Sequence, residues 1–350
     1  MASSPKNGTF PASALKLSRP HCLLYSFARR FDTQDSLFDI SWSEAHENQA
    51  IVASGDGSIK LFDIGLDNFP VRSWQEHKRE VFSVHWNLVS KDTICSSSWD
   101  GTIKIVSPPS RSPIRSGAEN PNPKLTPLTA TQWSPERTDS LLTLPTHSCT
   151  YSASFSPHSP SILSSVSSDS HLRIFDLRTP PSASNHLTLA IPIHTPPSPP
   201  FNKSAAVTHT PASPPSEALT HDWNKYRPST IATAGVDRLI RTFDIRAPAQ
   251  GPVVVLAGHD YAVRKISWSP HLPDLLLSAS YDMTCRVWTD GGGGDDGAGG
   301  YGAREEGRMG RHTEFVTGVD WCLFGAEGWC ASCGWDERVL VWDVRGVMEP

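Results

Sequence analysis

One segment pattern, repeated along the chain, constrains the fold more than any other feature of this sequence. Its clearest copy, residues 258–288, contains three strand-like runs at 262–268, 275–280 and 285–288. The first run alternates apolar and polar residues, and a proline-containing turn ends it because proline cannot donate to a strand ladder. Asp282 stands in the tight turn between the last two runs. We therefore predict three antiparallel strands here, with one further strand outside this copy.

The spacing within this copy recurs. An aromatic residue closes the first run and precedes the turn aspartate by fourteen residues in five copies and by fifteen in the sixth. The pairs are Trp42/Asp56, Trp86/Asp100, Phe155/Asp169, Trp223/Asp237, Trp268/Asp282 and Trp321/Asp336. The third run closes six residues after each aspartate, at Phe62, Val106, Phe175, Phe243, Trp288 and Trp342. Repetition of this kind is typical of sheets arranged around an axis, and the pattern resembles the WD-repeat β-propeller family. The predicted fold class is an all-β propeller with six recognisable blades.

The totals fit one closed unit of this kind. The chain has 350 residues, 38% of them hydrophobic, which is enough to bury a large core. A formal charge of −5 argues mildly against nucleic acid or an anionic membrane as the main partner. No apolar run reaches the length of a membrane span. We expect a soluble intracellular protein.

The cysteines raise the question of a metal or redox site. Seven cysteines, scattered through strand runs, indicate a reducing compartment rather than a disulfide framework. Cys330 and Cys333 form a CxxC pair, but they lie in a predicted strand and no second pair has zinc-ligand spacing. We expect neither a metal nor another cofactor.

A constellation around His259, Ser278, Asp282 and Trp288 could be mistaken for a hydrolase site. Related residue types recur around His77 and His312, and a catalytic site is needed once, whereas a stabilising hydrogen-bond set is needed in every blade. Phosphate loops, zincin motifs and nucleophile elbows are absent from the sequence. The sequence predicts a binding platform, with an enzyme as a remote alternative.

The ligand-binding end of a propeller can be located from the repeat. The residue six before each first-strand aromatic should start the innermost strand, at one mouth of the central channel. These residues are Ser36, Glu80, Cys149, Glu217, Ala262 and Phe315, with Asp35 beside the first. The carboxylates are either solvated rim charges or an acidic mouth for a cationic ligand, flanked by Phe82, Tyr261 and Phe315. The residues alone leave both interpretations open, the first being the simpler.

Four segments fall outside the repeats. Residues 1–30 have no acidic residue and are predicted to be a disordered leader, except that 23–27 could form the outer strand of the last blade and close the ring. Residues 106–132 and 179–216 are rich in proline and serine and are predicted to be disordered insertions. The first is expected to interrupt one strand, and a retained intron is one explanation for it. Residues 290–310 are predicted to be a flexible glycine-rich linker.

Four stretches go beyond a generic repeat: residues 80–105, 219–246, 258–288 and 312–344. In their non-motif positions too, they resemble the fungal form of the peroxisomal import receptors for type 2 targeting signals, the seventh peroxin. The resemblance implies a receptor that binds the N-terminal signal of newly made matrix proteins and acts with a co-receptor and a peroxisomal docking complex, shuttling between cytoplasm and peroxisome. A generic WD-repeat scaffold of a multiprotein complex is the alternative.

The resemblance also bears on the candidate site and on the ring. Glu80 and Glu217 match acidic positions of the receptor's blades, and Asp35 falls in a matching acidic stretch, which implies pairing of a carboxylate with an arginine of the signal. The receptor is similar to a seven-bladed ring, whereas residues 1–30 do not resemble its first blade. Either six blades close with residues 23–27 as the missing strand, or a gap remains.

Overall fold

The structure is a computed structural model, and in the part of the chain that it describes 23 strands form six antiparallel sheets. The described residues are 31, 33, 35–66, 70–107, 140–180, 186–194, 215–292, 302–323 and 326–348. Each sheet is one blade, and the predicted six-bladed β-propeller is confirmed. The leader, including residues 23–27, lies outside the described residues.

The first three blades are four-stranded. Blade one contains β1 (Leu37–Trp42), β2 (Gln49–Ser54), β3 (Ser58–Asp63) and β4 (Arg72–Gln75). Blade two contains β5 (Val81–Trp86), β6 (Ile94–Ser98), β7 (Thr102–Val106) and β8 (Ser140–Pro145). Blade three contains β9 (Thr150–Phe155), β10 (Ile162–Ser167), β11 (His171–Asp176) and β12 (Leu187–Pro192). The three inner strands of each blade coincide with the repeats read from the sequence.

Blades four and five are also four-stranded, and blade six has three strands within the described residues. Blade four contains β13 (Ala218–Trp223), β14 (Thr230–Gly235), β15 (Leu239–Asp244) and β16 (Val254–Ala257). Blade five contains β17 (Val263–Trp268), β18 (Leu275–Ser280), β19 (Cys285–Thr289) and β20 (Arg304–Met309). Blade six contains β21 (Val316–Trp321), β22 (Trp329–Gly334) and β23 (Val339–Asp343). Two short 3-10 helices, Pro248–Gln250 and Val344–Gly346, complete the described elements.

Two segments predicted to lack structure contain outer strands. Within 179–216, β12 pairs with β11, and its residues alternate between more buried and more exposed positions, a period that the surrounding prolines concealed. Within 290–310, β20 pairs with β19 although its sequence is REEGRM. An outer strand packs on one side only, so it can form with little apolar content. Residues 181–185, 195–214 and 293–301 of the two segments lie outside the described residues.

The expectation that residues 106–132 interrupt a strand is wrong. Strand β7 is complete to Val106, which is buried in the core with blade one, and β8 resumes the sheet with Ser140 opposite Val106. The segment therefore lies between two neighbouring strands, because β7 is complete before the chain leaves the blade. Residues 108–139 are outside the described part of the chain.

Apolar side chains pack between successive blades in five clusters. In each cluster the residue that closes the third strand of one blade packs against the preceding blade, as Trp288 does against Ile240 of blade four. The residues one and three before that position face the next blade, as Cys285 and Val287 do. The alternation of β-strands thus gives each blade one apolar face for each neighbour.

A buried polar set ties the turn of a blade to its inner strands. His259 Nδ1 lies 2.7 Å from Asp282 Oδ2, its Nε2 lies 2.6 Å from Ser278 Oγ, and Trp288 Nε1 donates to the same hydroxyl at 2.7 Å. Equivalent histidine–aspartate contacts occur in blades two, four and six. The predicted recurrence in every blade is wrong for blades one and three, where Lys60 and Arg173 contact the turn aspartate instead. In these two blades the Lys60 ammonium or the Arg173 guanidinium donates hydrogen bonds to the turn aspartate in place of the histidine ring.

These contacts make fold stability sensitive to acid. Burial alone would raise the pKa of the Asp282 carboxyl, but the hydrogen bonds from His259 and Thr284 outweigh it and hold the pKa well below its usual range. The unfolded carboxyl has its ordinary pKa of about 3.9. The stabilisation is therefore present at neutral pH and is lost as the pH falls through and below about 4.

We predict that Asp282→Asn lowers the free energy of unfolding by about 1–3 kcal/mol at pH 7, because His259 loses its anionic partner inside the blade. The variant should lose less additional stability than the unchanged protein between pH 5 and pH 3. Urea denaturation at both pH values measures this. If the free energies of unfolding of the two proteins differ by the same amount at pH 3 as at pH 7, the Asp282 charge does not have this role.

Candidate functional site at the channel mouth

The six residues predicted for the mouth all immediately precede an innermost strand. These strands are β1, β5, β9, β13, β17 and β21. The strands contact one another around the channel, for example where Val84 N donates to Asp39 Oδ2 and where Ser267 Oγ donates to Asp320 Oδ1. Because the innermost strands of all six blades run in the same direction along the channel, their starts meet at one opening. We call this opening the mouth.

Phe82 is the centre of an aromatic cluster at the mouth. Its ring stacks on Phe38 of blade one at 4.4 Å between centroids and on Trp99 of blade two at 4.6 Å. Tyr151 of blade three meets it edge-on at 5.6 Å. Stacked and edge-on pairs of this kind are favourable beyond the area they bury. Three blades therefore share one aromatic surface.

Glu217 is joined to this surface by a hydrogen bond. The Tyr151 hydroxyl donates to Glu217 Oε2 at 3.0 Å. Burial, together with the neighbouring Glu217 carboxylate, raises the pKa of the Tyr151 hydroxyl well above its usual range, so Tyr151 stays a donor at neutral pH. Glu217 is partly buried. The contact fixes the carboxylate of blade four against the aromatic cluster.

Glu80 lies in blade two and reaches the cluster through Arg79. Arg79 Nε is 3.5 Å from Glu80 Oε2, and the Arg79 guanidinium carbon lies 5.1 Å from the centroid of the Trp99 ring. Both partners of the ion pair are more than a third exposed, so the pair is weak. A ligand cation that approaches Glu80 competes with Arg79 at little cost.

The mouth is not uniformly acidic. Arg264 of blade five places its guanidinium carbon 5.9 Å from the centroid of the Phe82 ring, across the opening from blade two. With Arg79, it sets two cations among the predicted carboxylates. The mouth therefore presents carboxylates beside an aromatic surface that also carries positive charge.

Asp35 also lies at the mouth, on the blade-one side. A Cβ atom built on Gly55 would be 3.2 Å from Asp35 Oδ1 and 3.3 Å from the Phe38 ring. The carboxylate and the ring therefore both lie against Gly55. The Asp35 carboxylate accepts a hydrogen bond from Ser36 N at 2.7 Å and is exposed. It is available to a ligand from solvent.

The other two predicted aromatic residues behave differently from each other. Phe315 belongs to a second cluster, in which its ring centroid lies 5.1 Å from that of Tyr281 and 5.2 Å from that of Trp335. Tyr261 is 62% exposed and joins neither cluster through its ring. The structure therefore groups Phe82 with Glu80 and Glu217, places Phe315 on a separate aromatic patch, and leaves Tyr261 alone on the surface.

Sequence reasoning missed seven residues of the mouth, and two register positions could have found all of them except Arg79. The fourth residue before the closing aromatic of the innermost strand gives Phe38, Phe82, Tyr151 and Arg264. The residue before the turn aspartate gives Trp99, Tyr281 and Trp335. Both positions reach the same opening as the residue six before the aromatic. Large side chains at these positions are the signal.

The CxxC pair is split between core and surface. Cys330 is buried between blades five and six, where Cys330 Sγ lies 3.4 Å from the Trp342 carbonyl oxygen, and burial raises the pKa of its thiol above the usual range. Cys333 is exposed. In the described part of the chain, histidine, cysteine, aspartate and glutamate form no group of three or more that could hold a metal ion.

The described residues likewise contain no helix of the length and hydropathy that crossing a bilayer requires.

Glu217 depends on a glycine opposite it. Gly235 pairs with Ala218, and a Cβ atom at Gly235 would overlap the Glu217 carbonyl oxygen. We predict that Gly235→Ala lowers the free energy of unfolding by about 1–3 kcal/mol, because the start of β13 must move. Gly310→Ala is the control, since no described atom lies within 4 Å of a Cβ there. Thermal unfolding of both variants measures the difference, and equal melting temperatures would contradict the predicted overlap.

The repeated blades and their turn aspartates define the class of the protein. A family model described as WD domain, G-beta repeat, matches residues 68–107, 138–176, 250–289 and 305–343. The chain is thus a WD-repeat β-propeller.

Whole-chain comparison gives the family within this class. The chain is similar to the peroxisomal targeting signal 2 receptor of Saccharomyces cerevisiae, with 36% identity over 90% of this chain and 85% of the relative. It is 38% identical to the receptor of Komagataella phaffii over 90% of this chain and 84% of the relative. With the receptor of Mus musculus it shares 31% identity over 90% of this chain and 80% of the relative. The chain belongs to the family of peroxisomal targeting signal 2 receptors.

Proposed function

We propose that this protein binds the N-terminal type 2 peroxisomal targeting signal of newly made matrix proteins at the channel mouth. Together with a co-receptor, it delivers them to the peroxisome. The family of receptors to which the chain belongs supports the ligand class. The arrangement of carboxylates around an aromatic surface supports the location. It is the single observation on which the site depends.

The chemistry of the mouth suits a short amphipathic helix with a cationic end. The stacked rings of Phe82 and Trp99 offer a flat apolar surface. Glu80 lies in the same blade as these rings, while Glu217 contacts them through Tyr151. An apolar helical face placed on the rings brings an arginine within reach of a carboxylate at either side. A charge-assisted pair in such a partly desolvated place contributes about 1.5–3 kcal/mol.

Asp35 extends the acidic side of the site toward blade one, and Phe315 extends the aromatic side toward blade six. Arg264 works in the opposite sense, because its cation over Phe82 repels a ligand arginine that approaches the middle of the mouth. The ligand arginine is therefore directed to the edges, where Glu80 and Glu217 lie. Arg264 thereby selects the orientation of the signal as well as its charge.

The remaining parts of the function follow from the family. The partners would be cargo proteins that carry the signal, a fungal co-receptor and the peroxisomal docking complex. The protein would act as a receptor rather than as an enzyme, without a cofactor, and would shuttle between the cytoplasm and the peroxisome. A generic scaffold in a multiprotein complex is the alternative, and it would show no preference for the signal.

The deciding experiment is fluorescence anisotropy with a labelled peptide that carries a type 2 signal, with and without the co-receptor. A scrambled peptide of the same composition is the control. Preference for the ordered sequence supports the receptor function. Equal binding of both peptides in the presence of the co-receptor would support the scaffold instead.

We predict that Glu80→Ala and Glu217→Ala each weaken binding of the signal peptide about tenfold or more, since each removes one carboxylate that can pair with the arginine; about 1.4 kcal/mol is lost for a factor of ten. Glu47→Ala is the matched control, because this exposed carboxylate lies in the loop after β1, at the opposite end of blade one. Peptide titration measures all three, and melting curves verify the fold. If both mouth variants bind like the unchanged protein, the assignment of the mouth is wrong.

A further inference from the structure

The two glutamates of the mouth have different partners. Arg79 Nε lies 3.5 Å from Glu80 Oε2, so Glu80 already faces a cation of its own blade. Glu217 instead accepts a hydrogen bond from the Tyr151 hydroxyl at 3.0 Å, and within the described residues no lysine or arginine forms an ion pair with it. A hydroxyl orients a carboxylate but leaves its charge in place. A ligand arginine must displace Arg79 at Glu80, whereas Glu217 offers an unpaired anion.

Tyr151 occupies a bulge near the start of β9. Where β9 pairs with β10, Ser152 lies opposite Val166 and Thr150 lies opposite Ser167, so Tyr151 has no counterpart on β10. The extra residue of a bulge departs from the alternation of its strand, which allows its side chain to be aimed away from the faces that pack on other blades. The bulge thus directs the Tyr151 side chain to the mouth.

One register position forms such a bulge in each of the six blades. In the other five blades it holds Phe38, Phe82, Leu219, Arg264 and Thr317. Tyr151 is the one member of the set that joins an aromatic ring to a hydrogen-bond donor. Its ring can therefore pack on the aromatic cluster while its hydroxyl reaches the neighbouring blade.

The Tyr151 ring is held from two sides. Its centroid lies 5.6 Å from that of Phe82 and 6.1 Å from that of Trp99, and both pairs meet edge-on at 88°. A flip of the ring leaves the hydroxyl where it is, because the C–O bond lies on the axis of the flip. Burial and the Glu217 carboxylate raise the pKa of this hydroxyl well above its usual range. The donor therefore has a fixed position and stays protonated at neutral pH.

The main chain of Glu217 is fixed as well. Its carbonyl oxygen accepts a hydrogen bond from Val236 N at 3.0 Å, and the next residue, Ala218, pairs with Gly235 across β13 and β14. The backbone is thus held at one end of the residue, and Tyr151 holds the carboxylate at the other. The Glu217 side chain consequently has few conformations left to lose when a ligand binds.

We propose that Tyr151 is a positioning residue for arginine recognition, and that it holds the Glu217 carboxylate in place before the signal binds. This inference rests on the proposed function at the mouth. Because a carboxylate has about four acceptor sites, the bond from Tyr151 leaves room for both donors of a guanidinium fork. The conformational entropy that a freely rotating glutamate would lose on binding is lost on folding instead, which favours a tight complex.

The variant Tyr151→Phe keeps the ring and removes only the hydroxyl. In anisotropy titrations with the co-receptor present, we expect it to raise the Kd of a labelled type 2 signal peptide about three- to tenfold, the effect of freeing one flexible side chain. Tyr226→Phe is the matched control, because its hydroxyl donates to the Pro270 carbonyl oxygen at 2.7 Å in the loop after β13, at the opposite end of the ring. This control should bind like the unchanged protein.

A double-mutant cycle separates positioning from a general effect on the fold. In the Glu217→Ala background, Tyr151→Phe should weaken binding no further, since no carboxylate remains to be oriented. The positioning role is overturned if Tyr151→Phe alone binds like the unchanged protein, if it weakens binding by the same factor in both backgrounds, or if Tyr226→Phe weakens binding equally. If Glu217→Ala alone leaves the Kd unchanged, the proposed signal site fails together with the positioning role, so the two failures are distinguishable.

Discussion

The packing of each blade on the one before it is the interaction on which the rest of this molecule depends. The aromatic or aliphatic residue that closes the third strand of a blade packs against the preceding blade. Two alternate residues of the same strand pack against the next blade. A single twisted sheet exposes two apolar faces and would not be stable alone. Only a succession of blades buries both faces, so stability requires the repeat.

This arrangement also creates the candidate functional surface. Since every blade packs in the same sense, equivalent positions of all blades meet at one opening. Phe82, Trp99 and Tyr151 come from two blades and two register positions, yet they form one aromatic surface. Glu217 joins it from a further blade. The candidate site is thus built from positions at the channel mouth, while the buried histidine, serine and aspartate sets stabilise the scaffold.

Where prediction from the sequence failed, the reason lies in long-range contacts. Strand β20 has the sequence REEGRM, and neither periodicity nor propensity marks it; its pairing with β19 and the contact of Glu305 with Arg286 place it in the sheet. Strand β12 is likewise fixed by its pairing with β11. Blades one and three differ in a local way, because Lys60 and Arg173, four residues beyond the turn aspartate, contact it where other blades use histidine.

The sequence by itself determined the six blades, their three inner strands and the opening at which Glu80, Glu217 and Phe82 lie, because alternation and turn spacing are local and recur in register. The tertiary structure decided which side chains meet there. Tyr151 binds Glu217 and Arg264 covers Phe82 because different blades converge on the channel, at sequence separations that no local pattern encodes. It also decided that Trp42 is exposed while Trp86 is buried, since burial of an equivalent position depends on whether a neighbouring blade is present.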